Sequence, residues 1–393
     1  MITQNHQLTC QKEQFSLPAH LHYINCATRG PFSRAAEEAG IEAIRRQTNP
    51  FGLTAAHFFA QPEPVRQLFS RLINNPDPDR IAIIPSVSYG MGVVARNLHR
   101  KPGIARGQEI VLLDAEFPSD VYAWDRVCAE LGLTVRTVPM PTQLPRGAAW
   151  NERLLDAIGP QTALVVAPPT HWMYGIRVDL EAVARRTREV GAWLAIDGTQ
   201  AVGAMPFDLE KIQPDALICA GYKWLMGPYS TGLAYYGEAF DNGVPLEESW
   251  MARLESDQFH KLSEYQPAYR PKAYRYNVGE QSHFIHMPML EAALTQLLEW
   301  QPVRIEQYGR DLMAEAIPQL QAVGCGVEET SWRTHHLLGI WLPDSADPIG
   351  IQQALLANNV SISVRGRAIR VAPHVYNDAD DVAVFVDTLV RQL

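Results

Sequence analysis

The chain is poor in cysteine, with five in 393 residues, set apart at Cys10, Cys26, Cys128, Cys219 and Cys325 with no CxxC pair. An odd and scattered set excludes a disulfide framework and a structural zinc site, and it fits a reducing compartment. Positive charge is scarce as well: 34 Lys and Arg stand against 43 Asp and Glu, a net charge of -9. No run of like charge interrupts the sequence, so the basic field that gathers nucleic acid is missing. No apolar run reaches membrane-spanning length, and Met1 to Phe15 carries Gln, Asn, Glu and Lys rather than a basic end followed by an apolar block. The expectation is a cytoplasmic protein with no membrane or nucleic-acid partner. Internal repeats and low-complexity segments are also lacking.

What is present is apolar content of 47%, enough for a large core and, at this length, two domains. From about residue 80, short apolar runs alternate with amphipathic segments, the pattern of strands joined by crossover helices in a mainly parallel sheet. The predicted strands are 81–84, 110–113, 163–167, 193–196 and 216–220, with 232–236 returning afterwards. Between two of them a helix is capped by Asp179, buries Leu180, Val183, Ala184 and Val190, and ends at Gly191. The first strand-to-helix turn has no GxGxxG, which argues against a dinucleotide-binding dehydrogenase. Residues 229–282 read as long loops and short elements. Helical patterns then cover 288–300 and 303–323, strands cover 337–342 and 361–364, a helix begins near Pro348, and Asn377 or Asp378 caps a terminal helix. The fold class is α/β, and the expected division is an N-terminal extension (1–15), a large domain (16–282, with partner-contacting loops at 238–282) and a small C-terminal α/β domain (283–393).

Two strand ends carry the chemistry. The run Trp193 to Ile196 delivers Asp197, and Ala216 to Ala220 leads to Gly221-Tyr222-Lys223-Trp224. In a buried parallel sheet, functional residues collect just beyond the carboxyl ends of strands. An amine at one end and a carboxylate at the next suit pyridoxal phosphate: the lysine holds the aldehyde as a Schiff base, and the acid keeps the pyridine nitrogen protonated so that the ring accepts electrons. An arbitrary lysine in a turn is ordinarily a surface residue. Here the flanking apolar and aromatic residues instead favour a lowered amine pKa and a nucleophilic role. Gln200 is placed to hydrogen-bond the ring hydroxyl oxygen. Pro85-Ser86-Val87-Ser88-Tyr89-Gly90 offers a helix N-terminus to a phosphate, although serine there is first a cap. In Glu116-Phe117-Pro118-Ser119-Asp120, Phe117 is placed to stack on a flat ring, and Ser119 is a further cap candidate. His171 and Trp172 read equally as site-lining or as packing.

Together these segments resemble the class V aminotransferase-like family of fold-type I pyridoxal phosphate enzymes, which includes kynureninase, cysteine desulfurases, C-S lyases and isopenicillin N epimerase. The resemblance implies a fold-type I homodimer acting on a small-molecule amino acid, with one pyridoxal phosphate on Lys223. It implies that Asp197, Gln200, Tyr222 and Lys223 form the cofactor cradle, with Tyr222 on the phosphate, Phe117 over the ring, and Val87 and Ser88 at the phosphate. It further implies that Trp250 and the loop Asn277-Val278-Gly279-Glu280-Gln281 reach a partner subunit's cofactor, Glu280 departing from the usual Thr or Asn. Arg370, in Ala368-Ile369-Arg370-Val371-Ala372-Pro373-His374, is similar to the arginine that takes the substrate carboxylate, the competing reading being a structural salt bridge. Asn25, in Asn25-Cys26-Ala27-Thr28-Arg29-Gly30-Pro31, belongs to a substrate-side loop. Desulfurases carry a mobile cysteine where this chain has Ser363-Val364-Arg365-Gly366-Arg367, so a persulfide route is disfavoured. The expected activity is a C-S β-lyase on cysteine or a cysteine derivative. The alternatives are an epimerase or racemase like isopenicillin N epimerase, an aminotransferase, and, less favoured because Lys223 and Asp197 are both present, a non-catalytic binding protein.

Overall fold

A computed structural model describes residues 7–393, so the first six residues of the N-terminal extension lie outside it. The chain begins its regular structure with β1 (His22–Tyr23). A seven-stranded sheet follows: β2 (Ile81–Ile84), β3 (Glu109–Leu113), β4 (Thr134–Val138), β5 (Thr162–Ala167), β6 (Trp193–Asp197), β7 (Ala216–Ala220) and β8 (Gly232–Tyr236), in spatial order 2-8-7-6-5-3-4. The pairings from β4 through β7 are parallel, and β8 runs antiparallel to both β7 and β2.

The unbroken apolar character of these strands has a direct cause, since alternate side chains enter two different cores. Val111, Val165, Leu194, Ile196 and Leu217 pack on one face. Ile110, Leu112, Leu164, Val166, Ala195 and Ile218 pack on the other. The helix Leu180–Val190 is capped by Asp179, whose carboxylate accepts from Ala182 N at 3.0 Å, and Gly191 ends it in a left-handed conformation. Edge strand β4 escaped the sequence reading because four of its five residues face solvent, leaving no apolar run. The helices Arg34–Gln47 and Glu63–Leu72 also escaped it. They form a layer with the helix His286–Trp300.

The smaller sheet, β9 (Gly326–Val327), β10 (Leu338–Trp341), β12 (Ser363–Arg365) and β13 (Ala368–Val371), is antiparallel in the order 12-13-10-9. Between them β11 (Val360–Ser361) pairs with β1 in parallel, which fastens the N-terminal segment to this part of the chain. The single strand expected over 361–364 is therefore split, its two halves serving different partners. The helical pattern over 303–323 is likewise two helices, Pro302–Leu312 and Ala316–Ala322. Pro318 explains the break: it has no N–H to give to the preceding turn and is tolerated only in the first turn of a new helix. Asp378 caps the last helix, Ala379–Val390, in a reciprocal capping box with Asp381. Apart from β8, residues 229–282 hold loops and short 3-10 turns, as expected. Among the described residues no helix is long and apolar enough to cross a membrane.

Candidate active site

Asp197 is the last residue of β6, and Lys223 follows the end of the neighbouring β7 by three residues. Both open onto one cavity of about 240 Å³. Ser86, Val87 and Ser88 line it from the turn after β2, Phe117 and Ser119 from the loop after β3, and Trp172 from the loop after β5. Gly30 allows the loop 25–31 to close on the turn that carries Lys223: its N–H donates to Tyr222 O at 2.9 Å, and a Cβ there would stand 2.2 Å from Lys223 O.

Burial dominates the Lys223 amine and lowers its pKa from 10.5 to about 8. Asp197 opposes that fall, while the positive charges of Arg370 and Arg365 assist it. The amine lies 5.3 Å from the centre of the Phe117 ring and 5.6 Å from that of Tyr222. Asp197 is buried and accepts from Thr199 N at 2.9 Å. Thr199 Oγ1 in turn accepts from Ala220 N at 3.0 Å, locking the two strand ends together.

Two acids that the sequence reading passed over stand beside this pair. Asp120 is fully buried beside Asp197, and neither of its carboxyl oxygens has a hydrogen-bond partner among the described residues. Burial first, and then the charges of Asp197 and Glu116, raise its pKa well above the ordinary carboxyl range. Glu116 is raised to about 8, again by burial before the charge of Asp197. Asp120 is thus pushed toward its neutral form, since burial and nearby like charges both disfavour its ionisation. Glu116 Oε1 accepts from Phe117 N at 2.9 Å and shapes the turn under the ring. The sequence signal was two acids within seven residues of the end of a buried strand.

Ser86 caps the helix Val87–Asn97 by accepting from Tyr89 N at 3.2 Å. The first backbone N–H groups of that helix, at Val87 and Ser88, have no partner within it. With the hydroxyls of Ser86, Ser88, Tyr222, Ser230 and Thr231 they make one wall of the cavity rich in donors and free of acids. A phosphate fits there. Gln200 Oε1 accepts from Trp224 Nε1 at 2.8 Å, and its Nε2 donates to Ala27 O at 3.1 Å. With its oxygen committed, Gln200 turns only N–H toward the cavity, which suits an oxygen acceptor. Ser119 caps nothing: it lies in the 3-10 turn Pro118–Asp120, and the next helix starts at Tyr122 without a side-chain cap.

Trp172 and His171 part company. Trp172 lines the cavity, edge-on to Phe117 with ring centres 5.4 Å apart. His171 is fully buried, stacked on Tyr174 at 5.1 Å and bonded to Asp114 O at 3.1 Å, with burial holding its pKa down at about 4. It is packing.

Arg370 is 2% exposed. Its Nη1 donates to Trp172 O at 2.9 Å and its Nη2 to Thr28 Oγ1 at 2.8 Å, while Nε has no partner. No carboxylate contributes to its electrostatics; burial and Arg365 bring its pKa down to about 9. A structural salt bridge is therefore absent among the described residues. Asn25 reaches Arg370 through Thr28, whose Oγ1 donates to Asn25 Oδ1 at 2.8 Å.

Trp250 stands outside the Lys223 cavity, half-exposed and edge-on to Phe59 and Phe259. In its neighbouring loop, Asn277 and Gln281 are buried and accept from Arg66 Nη2 at 3.0 and 2.8 Å, whereas Glu280 is exposed.

A family model described as Aminotransferase class-V matches residues 46–383. An isopenicillin N epimerase of Amycolatopsis lactamdurans is 27% identical over 63% of this chain and 62% of its own length. An uncharacterized aminotransferase of Bacillus subtilis, YcbU, is 25% identical over 96% of this chain and 95% of its own. A cysteine desulfurase of Escherichia coli is 25% identical over 66% of this chain and 62% of its own. The first and third matches leave over a third of those relatives unspanned. In fold, the chain is similar to a C-DES mutant with glycine covalently linked to its PLP cofactor, with a TM-score of 0.85 and 21% identity over 98% of this chain and 100% of that one. It is also similar to the cystine C-S lyase C-DES bound to cysteine persulfide, with a TM-score of 0.82 and 21% identity over 95% of this chain and 98% of that one.

Proposed function

The chain belongs to the class-V aminotransferase family of pyridoxal phosphate-dependent enzymes, and from that premise we propose that it cleaves the C-S bond of cysteine or a cysteine derivative. The observation that carries the reading is a buried amine of lowered pKa, Lys223, which feels the charges of both Asp197 and Arg370, a guanidinium with no carboxylate partner. When bound, the cofactor supplies an electron sink for negative charge at Cα and a phosphate anchor.

The residues divide the remaining work. Lys223 Nζ holds the cofactor and, once freed by substrate, takes the proton from Cα; its lowered pKa leaves a useful share of neutral amine near neutral pH. Asp197, fixed by the Thr199 N–H, would keep a proton on the ring nitrogen, and Asp120 stands buried beside it, pushed toward its neutral form. The donors at Val87, Ser88 and Thr231 take the phosphate. Arg370 receives the substrate carboxylate through its two forked N–H pairs, for which Trp172 O and Thr28 Oγ1 set the plane. A homodimer would cover the half-exposed aromatic patch around Trp250.

No cysteine lines the cavity: Cys26, Cys219 and Cys325 are buried, Cys128 is half-buried and Cys10 exposed. Sulfur leaving Cβ therefore departs with the leaving group rather than on an enzyme thiol. The balanced reaction converts a cysteine S-conjugate and water into a thiol, pyruvate and ammonium. Incubating the cofactor-loaded protein with a panel of cysteine conjugates is expected to give thiol and pyruvate in equal amounts. Inverted stereochemistry without pyruvate would replace this reading with an epimerase, and a keto acid formed only with an amino-group acceptor present would replace it with an aminotransferase. Borohydride reduction is expected to fix the cofactor to the peptide containing Lys223, and an adduct on another lysine would remove that residue from its role.

A further inference from the structure

Binding an α-carboxylate requires one guanidinium, yet two converge on Trp172. Strands β12 and β13 pair antiparallel with Ser363 opposite Arg370 and Arg365 opposite Ala368. Side chains alternate along a strand, so Arg365 and Arg370 project from the same face as diagonal neighbours. Their guanidinium carbons lie 5.5 and 6.0 Å from the Trp172 ring centre. Both act on the charge of Lys223. Arg365 Nη1 donates only to the adjacent Val364 O at 2.8 Å, and its Nε is buried without a partner.

Neither side chain has a carboxylate within ion-pair distance among the described residues. Their neighbour Arg367 makes the contrast, since it turns to the surface and meets Asp344 at 3.6 Å. Holding two guanidinium groups together near an amine, one of them buried, costs free energy that their hydrogen bonds to Val364 O, Trp172 O and Thr28 Oγ1 offset only in part, with no carboxylate to balance the charge. A ligand with two separated negative charges would offset it.

Building on the reading that this pocket handles an amino acid, we propose that its substrates carry a second anionic group at the end of the side chain, with Arg370 taking the α-carboxylate and Arg365 the distal anion. The substrate class is a cysteine S-conjugate ending in a carboxylate or a comparable acid. Arg370 lies deep and Arg365 is only half-buried, so the distal anion sits toward the mouth. Arg365 is then a specificity-determining residue.

Two ligands that differ by one charge test this. S-carboxymethyl-L-cysteine and its neutral amide, S-carbamoylmethyl-L-cysteine, are to be titrated into the cofactor-loaded protein by rapid mixing, reading the absorbance of the bound cofactor. The acid is expected to bind about 10- to 100-fold more tightly, the usual scale of a charge-assisted hydrogen bond to a partly desolvated group. Arg365→Gln should erase that preference by weakening the acid alone, and Arg365→Lys should keep much of it. Equal affinities in the unmodified protein, or an Arg365→Gln effect that is nil or the same on both ligands, would overturn the assignment. A spectrum that answers to neither ligand would instead overturn the amino acid reading on which it rests.

Discussion

The amine of Lys223 is expected to titrate far below an ordinary lysine when the cofactor is absent. Its descent from 10.5 to about 8 corresponds to roughly 3 kcal/mol of preference for the neutral form and to about 300-fold more free amine at pH 7. Burial is the largest cause, Asp197 the largest opponent. Trace acylation of cofactor-free protein across pH 6 to 10, with the modified lysines resolved by mass spectrometry, measures this directly. Lys223 should react with a midpoint near 8 while exposed lysines follow their usual curve, and Asp197→Asn should move the midpoint lower still. The same shift has a stability consequence. Below about pH 8 the amine is protonated in both folded and unfolded chains, and the burial penalty is complete. Between about pH 8 and 10.5 the folded chain has lost a proton that the unfolded chain keeps, so this group's contribution to stability improves as pH rises. Lys223→Met should therefore stabilise the cofactor-free protein relative to the original most at pH 7, with the advantage shrinking toward pH 10. A midpoint near 10.5, or an advantage independent of pH, would refute the burial account.

Gly30→Ala should lower both the melting temperature and cofactor retention, because its Cβ would stand 2.2 Å from the Lys223 carbonyl oxygen and backbone on both sides must shift. Normal cofactor content in the alanine variant would show that the loop yields freely. Glu116, with its folded pKa raised from 4.5 to about 8, keeps a proton over that range that the unfolded chain releases, so its contribution to stability falls as pH rises. Glu116→Gln does not titrate and should gain on the original protein between about pH 5 and 8; denaturation midpoints at the two ends of that window decide the matter, and a constant difference refutes it. Arg370→Lys should raise the KM for the amino acid by about tenfold or more, since an ammonium lacks the planar fork, and should leave the cofactor spectrum unchanged. An unchanged KM would remove Arg370 from substrate binding.

The strands of the large sheet were legible because burial on both faces forces an apolar run, and a run of that kind survives without tertiary knowledge. Edge strand β4 was not, since exposure leaves Thr134 and Thr137 no reason to be apolar. The strand ends bearing Asp197 and Lys223 were legible for the same reason as the strands themselves. Asp120 was not: in sequence it is an acid near a helix start, where a carboxylate is ordinarily a cap. Only the three-dimensional packing shows it fully buried against Asp197. Arg370 presented a comparable difficulty. An arginine on a strand invites a salt bridge, and its lack of one is a property of every neighbour at once.

That difference accounts for how the site manages charge. The chain carries a net charge of -9, yet beside the Lys223 cavity Glu116 and Asp120 are pushed toward their neutral forms. Lys223 lines the cavity together with the donors at Val87 and Ser88, and Arg365 and Arg370 both act on its charge. Burial pushes the two acids toward neutrality and the two guanidinium groups have no carboxylate partner, so the cavity is locally positive inside an acidic protein. A low-dielectric pocket of one sign concentrates ligands of the other. It would gather a phosphate and one or two carboxylates, while Asp197, on the proposed reading, would serve the one position where a cation must be stabilised, a protonated ring nitrogen. Mutating Asp120 or Glu116 should thus act on the Asp197 side of the cavity without touching either anion, whereas loss of charge at Arg365 or Arg370 should weaken anion binding and also raise the pKa of Lys223.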